Sequence, residues 1–178
     1  PASFDTKKLD WLAGQYMRQK GLDELTELAM PYLQDASLLP SEKGRIDLDR
    51  VKRIVGATRP GLPCLSRMVK EADFFFKRPI IDEDKKSALF SDNAQKITSK
   101  VLDYLSRRKS VSPEDLKELI TTLSEDMNLT KKDVMMTLRL ALSGRSHGPE
   151  LYSVISILGV DESVERLKKV QLIKSNKD

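Results

Sequence analysis

Apolar side chains recur every three or four positions along most of this chain, and nowhere do they alternate with polar ones as in a half-buried strand. The pattern predicts an all-α protein. In FDTKKLDWLAGQYMRQKG, Asp5 is placed to cap a helix that carries Leu9, Leu12 and Tyr16 on one face, and Gly21 marks its stop. Leu22, Leu25, Leu28, Ala29 and Leu33 continue the rhythm, with Pro31 marking either a kink or the start of a new helix. Two more helices are expected over Asp47 to Val55 and Leu65 to Phe76, divided by GATRPGLP, through which no helix runs unbroken.

The chain changes from aromatic to charged around Pro79, within FFFKRPIIDEDKK. This shift sets the expected boundary between two consecutive helical bundles, 1–82 and 83–178. A long helical stretch follows from Asp84 to Arg108. In VSPEDLKEL, Ser112 is a natural cap, and Pro113 takes the first helical position, where its missing amide costs nothing. Glu114 and Asp115 favour the positive helix end, and Val111 is spaced to staple to Leu116. LTKKDVMMTLRLAL repeats that logic, with Thr130 and Asp133 as the capping pair and Leu129 set against Val134. Asp161 opens the last helix, which ends in a basic tail. Met135 and Met136 read as packing residues, as do Trp11 and Tyr16. Two of Phe74, Phe75 and Phe76 must be buried, because a helix cannot expose all three cheaply.

Composition removes several function classes. The charged fraction of 33% exceeds the globular average of about 25% and suits helices with solvated faces. Thirty-one Lys and Arg against 27 Asp and Glu give +4, which permits a polyanionic partner without requiring one. One cysteine, Cys64, forms no internal disulfide, and with one histidine it cannot supply a zinc site, so no metal is expected. No apolar run reaches the roughly 18 residues that span a bilayer, and no signal peptide precedes the first helix; a cytoplasmic chain without a membrane partner is expected. It starts at Pro1 instead of Met, as a processed product or an excised piece would.

One interruption carries candidate chemistry. In LRLALSGRSHGPELYSVISILG, Ser143 and Gly144 end one helix and Pro149 is placed to begin the next, with Glu150 in its first turn. Arg145, Ser146, His147 and Gly148 then lie beside a helix N-terminus, where amides without intrahelical partners bind anionic or carbonyl groups. Taken alone, the stretch reads more simply as a plain helix-to-helix turn. His147 offers base stacking or pH sensitivity, though a lone loop histidine is more often incidental.

Three separated stretches, FDTKKLDWLAGQY, VKEADFFF and LRLALSGRSHGPELYSVISILGVDESVERL, resemble the region that follows the catalytic core in bacterial-type glutamyl-tRNA synthetases. They stand in the same order over nearly the whole chain. The last is the most specific, since the family carries a similar Leu-Arg-x-Ala-Leu-Thr-Gly segment, a loop, then Pro-x-Leu and a final helix. The resemblance implies a C-terminal anticodon-binding region made only of helices, in two subdomains, acting as a monomer on the anticodon arm of the glutamate tRNA. It implies that Arg139, Gly148, Pro149 and Leu151 contact anticodon bases, with Arg145 beside them, and that Arg59 or Arg67 reads the last anticodon base. Unstacked bases are read by loop backbone, Arg planes and apolar platforms, which such a loop offers. Arg139→Ala is then expected to weaken binding while barely touching stability. Clusters at Arg107 to Lys109 and Lys168 to Lys174 are either solvated faces or phosphate contacts.

Departures from the family pattern are visible as well. Ala13 stands where many relatives have Asn, and Gly148 replaces a side chain that some relatives offer, so contact there is expected through backbone. GATRPGLP departs from the family's usual run. The parent synthetase needs an ATP signature with paired histidines and a lysine-rich loop on a Rossmann-type sheet. This chain has one histidine and no Gly-rich loop after a strand, so no catalytic residue and no cofactor are expected in it, ATP belonging to the parent enzyme. Two other readings stay open: the relaxed kind of synthetase that also charges glutamine tRNA, and a helical protein-interaction scaffold without nucleic-acid function.

Overall fold

The structure, a computed structural model, describes residues 14–175 apart from 16 and 18. The expectations for Asp5, Leu9, Trp11, Leu12, Ala13 and Tyr16 lie outside these. No strand occurs among the described residues. The chain divides into two compact units, Pro1–Lys77 and Arg78–Asp178. The division falls five residues before the junction expected at 82/83, so the segment from Arg78 to Asp82 belongs with the second unit.

In the first unit, α1 (Leu22–Asp35) buries Leu25, Thr26, Ala29 and Leu33. Leu28 is turned outward, because it stands about 100° from Ala29 around the helix. Pro31 lies inside this helix and neither ends nor restarts it. Asp47 caps α2 (Leu48–Thr58), its carboxylate accepting from the Arg50 amide at 2.9 Å. This helix continues through Gly56, where a Cβ would sit 3.5 Å from Leu22 Cδ2, and then breaks into a 3-10 turn at Arg59–Gly61. The expected Leu65 to Phe76 helix is a succession of short pieces: 3-10 turns at Leu65–Arg67 and Asp73–Phe75 flank α3 (Met68–Ala72). Phe74 and Phe75 are each 2% exposed and their rings meet at 4.1 Å, whereas Phe76 lies under the Arg50 guanidinium at 5.5 Å. Each buried ring contributes roughly 1.5–3 kcal/mol.

In the second unit, the stretch expected as one helix from Asp84 to Arg108 is two, α4 (Glu83–Leu89) and α5 (Asp92–Ser106). Ser91 causes the break: its hydroxyl accepts from the Ala94 amide at 3.3 Å and donates to the Ala88 carbonyl at 3.0 Å. Gln95 then closes the end of α4 by donating to the Leu89 carbonyl at 2.7 Å. Both expected capping boxes form, Ser112 with Asp115 on α6 (Pro113–Asp126) and Thr130 with Asp133 on α7 (Lys131–Ser143). Each hydroxyl cap stabilises its helix by about 1 kcal/mol.

Helix α7 packs against α4, α5 and α6 and against the two helices that follow, α8 (Leu151–Leu158) and α9 (Val160–Ser175). Its inner stripe of Val134, Leu138, Ala141 and Leu142 supplies those contacts. Met135 and Met136 therefore do not pack as expected; at 36% and 38% exposure they lie on the outer face. Among the described residues no buried side-chain nitrogen or oxygen lacks a hydrogen-bond partner, and no helix is long and apolar enough to cross a membrane.

Candidate nucleic-acid interface

Helix α7 stops at Gly144, which takes the left-handed conformation at φ 70° and ψ 14° while its amide donates to the Leu140 carbonyl at 2.8 Å. A Cβ here would stand 2.9 Å from Pro79 Cβ, so geometry and space both demand glycine. Residues 145–150 then run without regular structure to α8.

Arg139 lies behind this loop. Its Nη1 donates to the Gly148 carbonyl at 2.9 Å and also to the Pro149 carbonyl, while its own carbonyl accepts from the buried Ser143 hydroxyl at 2.7 Å. Gly148 sits at φ 143° with its surface exposed; the nearest atom to a Cβ placed there is Arg139 Nη1 at 3.9 Å. On the solvent side, Ser146 Oγ and His147 Nδ1 share a hydrogen bond of 2.9 Å.

The residues expected to act together are thus brought together, in altered roles. Arg139, Gly148 and Pro149 are neighbours, with Arg139 holding carbonyls in place. Pro149 and Leu151 are buried, so their side chains belong to the core and not to the exposed face of the loop. Nor does Pro149 open the helix: Glu150 is the N-cap at φ −58° and ψ 140°, and Leu151 is the first helical residue. The first intrahelical bond is Val154 N–H to the Glu150 carbonyl at 3.0 Å, and no Glu150 side-chain cap covers the amides before it. Arg145 is half-buried, His147 and Glu150 are exposed, and Tyr152 is 38% exposed. A hydrogen bond to the Glu150 carboxylate holds the Tyr152 phenol above its ordinary pKa. Arg59 and Arg67 belong to the first unit, in the 3-10 turns that flank residues 62–64; Arg67 is exposed and Arg59 half-buried.

A second cluster escaped the sequence reading. Arg166 is 4% exposed and donates to the Leu142 carbonyl at 2.7 Å and to Glu162 Oε1 at 2.9 Å. Arg78 grips the same carboxylate with both prongs, Nε to Oε1 at 3.0 Å and Nη2 to Oε2 at 2.9 Å. The Arg78 hydrogen bond chiefly, and Arg166 after it, hold the Glu162 pKa at about 2 although burial opposes this. The Glu162 to Arg166 spacing of four residues is a helical pairing visible in the sequence; Arg78 lies 84 residues away and carries no local signal.

A cleft of about 280 Å³ opens beside this cluster, with Pro79, Ile80, Ala141 and Val170 among its lining. Three cations of its rim are already paired, Arg78 and Arg166 with Glu162, and Lys86 with Glu83. Among the described residues no group of three His, Cys, Asp or Glu side chains converges to hold a metal ion. The loop instead presents backbone groups, an imidazole and the start of a helix, an arrangement suited to hydrogen-bonding a planar base or a phosphate.

Comparison with known proteins places these features in a wider set. Residues 24–171 match the family model described as the anticodon binding domain. The chain is 33% identical over 168 residues to a glutamate–tRNA ligase of Carboxydothermus hydrogenoformans, covering 94% of this chain and 35% of that protein. It is 31% identical over 170 residues to glutamate–tRNA ligase 1 of Caldicellulosiruptor saccharolyticus, with the same coverage of 94% and 35%. It therefore spans about a third of the length of these relatives. In structure it resembles a glutamate tRNA ligase from Elizabethkingia meningosepticum, with a TM-score of 0.76 at 23% identity over 95% of this chain and 32% of that one.

Proposed function

Because the chain belongs to the anticodon binding domain family, we propose that it selects the anticodon arm of the glutamate tRNA on behalf of a glutamate–tRNA ligase. The observation that carries this reading is the loop between α7 and α8, whose inner carbonyls are tied down by Arg139 while Gly148 and His147 face solvent. A pinned backbone edge presents its remaining donors and acceptors in one geometry, which is what reading an unstacked base requires. Gly148, Arg145, His147 and the first turn of α8 take the base-reading role in this proposal, and Pro149 and Leu151 support them from the core. Arg59 or Arg67 reads the last anticodon base. Exposed lysines of α9, such as Lys168 and Lys169, position phosphates without reading sequence.

The chain performs tRNA selection as a monomer, and the parent enzyme supplies ATP and joins glutamate to the acceptor end. Of the readings left open by sequence, the protein scaffold has no described feature in its favour. Binding to anticodon stem-loops of glutamate tRNA, glutamine tRNA and an anticodon-substituted glutamate tRNA, each at two salt concentrations, tests the proposal. Tenfold or greater preference for the glutamate anticodon is expected. Shared preference for the glutamine arm would mark the relaxed kind, and equal, salt-labile binding to all three would overturn anticodon reading.

A further inference from the structure

We propose that Arg78, Pro79, Glu162 and Arg166 form a positioning relay that sets the geometry of the 144–150 loop, so that Arg78 governs anticodon discrimination without touching RNA. The inference rests on the anticodon reading above. The loop is held at both ends from its inner side. At its far end, Arg139 binds the carbonyls of Gly148 and Pro149. At its near end, Arg166 binds the Leu142 carbonyl, whose i+4 amide lies beyond the helix, and Pro79 closes directly over Gly144.

The near-end clamp depends on one carboxylate. Glu162 compensates the buried charge of Arg166 and offers its other oxygen to Arg78. Arg78 is bonded to Pro79 in the chain, so the bidentate grip on Glu162 keeps the proline seated on Gly144. Between the two clamps only Arg145, Ser146 and His147 bridge, and their backbone path follows from where the clamps stand. Removing Arg166 would leave the buried Leu142 carbonyl without its donor and empty a packed site, and would endanger the fold. Removing Arg78 leaves the Glu162 to Arg166 pair intact and releases only the strap over Gly144.

Arg78→Ala in the full 178-residue chain is therefore the informative variant. It is titrated beside wild type with the glutamate anticodon stem-loop and the anticodon-substituted one, over a salt series, with amide exchange followed at residues 144–148. Expected are a 5- to 10-fold weaker grip on the glutamate anticodon, little change for the substituted one, faster exchange in the loop, and an unchanged salt slope. Arg78→Lys, which keeps charge but not the fork, should fall between the two. A loss equal for both RNAs, with the slope reduced by about one phosphate contact, would make Arg78 a phosphate ligand and overturn the relay. Undiminished discrimination by Arg78→Ala, with wild type discriminating, overturns the relay alone. Absence of discrimination in wild type overturns the anticodon reading and this inference with it.

Discussion

The guanidinium of Arg139 meets the carbonyl of Gly148 at 2.9 Å, nine residues further along the chain and across the loop that separates α7 from α8. An arginine committed to backbone carbonyls carries stability as well as any part it plays in recognition. Arg139→Ala is expected to cost about 1.5–3 kcal/mol in urea unfolding, the range for hydrogen bonds that involve a charged group. Sequence alone predicted a stability-neutral change. If unfolding is unaffected while RNA binding falls, water has replaced the guanidinium at these carbonyls and Arg139 is a direct base contact.

Gly144→Ala should destabilise by more than about 2 kcal/mol, since a left-handed φ of 70° and a Cβ at 2.9 Å from Pro79 Cβ both oppose it. Gly144→Asn separates the two causes, because asparagine tolerates this conformation and still brings the Cβ. Equal melting temperatures for the two variants would assign the cost to the Pro79 contact; a milder asparagine variant would assign it to the backbone.

Glu162 ties stability to acid pH. Its folded pKa of about 2 lies below the ordinary value of 4.5, so its contribution is complete above that ordinary value and is lost as pH falls through about 2. Wild type should accordingly lose stability between about pH 5 and pH 2 more steeply than Glu162→Gln, by about 1–2 kcal/mol after allowing for solvent screening. Above pH 6 the two curves should run parallel. Matching slopes throughout the acid range would remove the ion pairs with Arg78 and Arg166 from the folding balance.

Ser112→Ala and Thr130→Ala each delete a capping box and should cost about 1 kcal/mol apiece. The boxes start different helices and share no partner, so the double variant should sum the two within about 0.5 kcal/mol. Calorimetry of the four proteins is sufficient.

These caps were legible in the sequence because the capping box is written within four consecutive residues. The same locality shows where legibility ends. Ser91 has cap chemistry too, but it sits between two apolar runs in phase with one another, so the stretch read as one helix. Met135 and Met136 look like core by composition; only the neighbours claimed by Val134, Leu138 and Leu142 reveal that the inner face is full. At the candidate site, the interruption between α7 and α8 was legible from its glycines and proline, but the burial of Pro149 and Leu151 was not, because it depends on the packing of the whole second unit. The grip of Arg78 on Glu162 spans 84 positions and follows from the packed second unit, with no pattern in either residue's surroundings to announce it.

The outward turn of Met135 and Met136 makes the protein its own chemical recorder. Thioethers oxidise to sulfoxides in order of solvent access, so dilute peroxide should modify these two first, the half-buried Met30 and Met127 later, and Met17 and Met68, at 4% and 0% exposure, last. Mass spectrometry of the peptides reads that order directly. A nucleic acid lying along α7 would take that lead away, shielding the pair that is otherwise the most vulnerable.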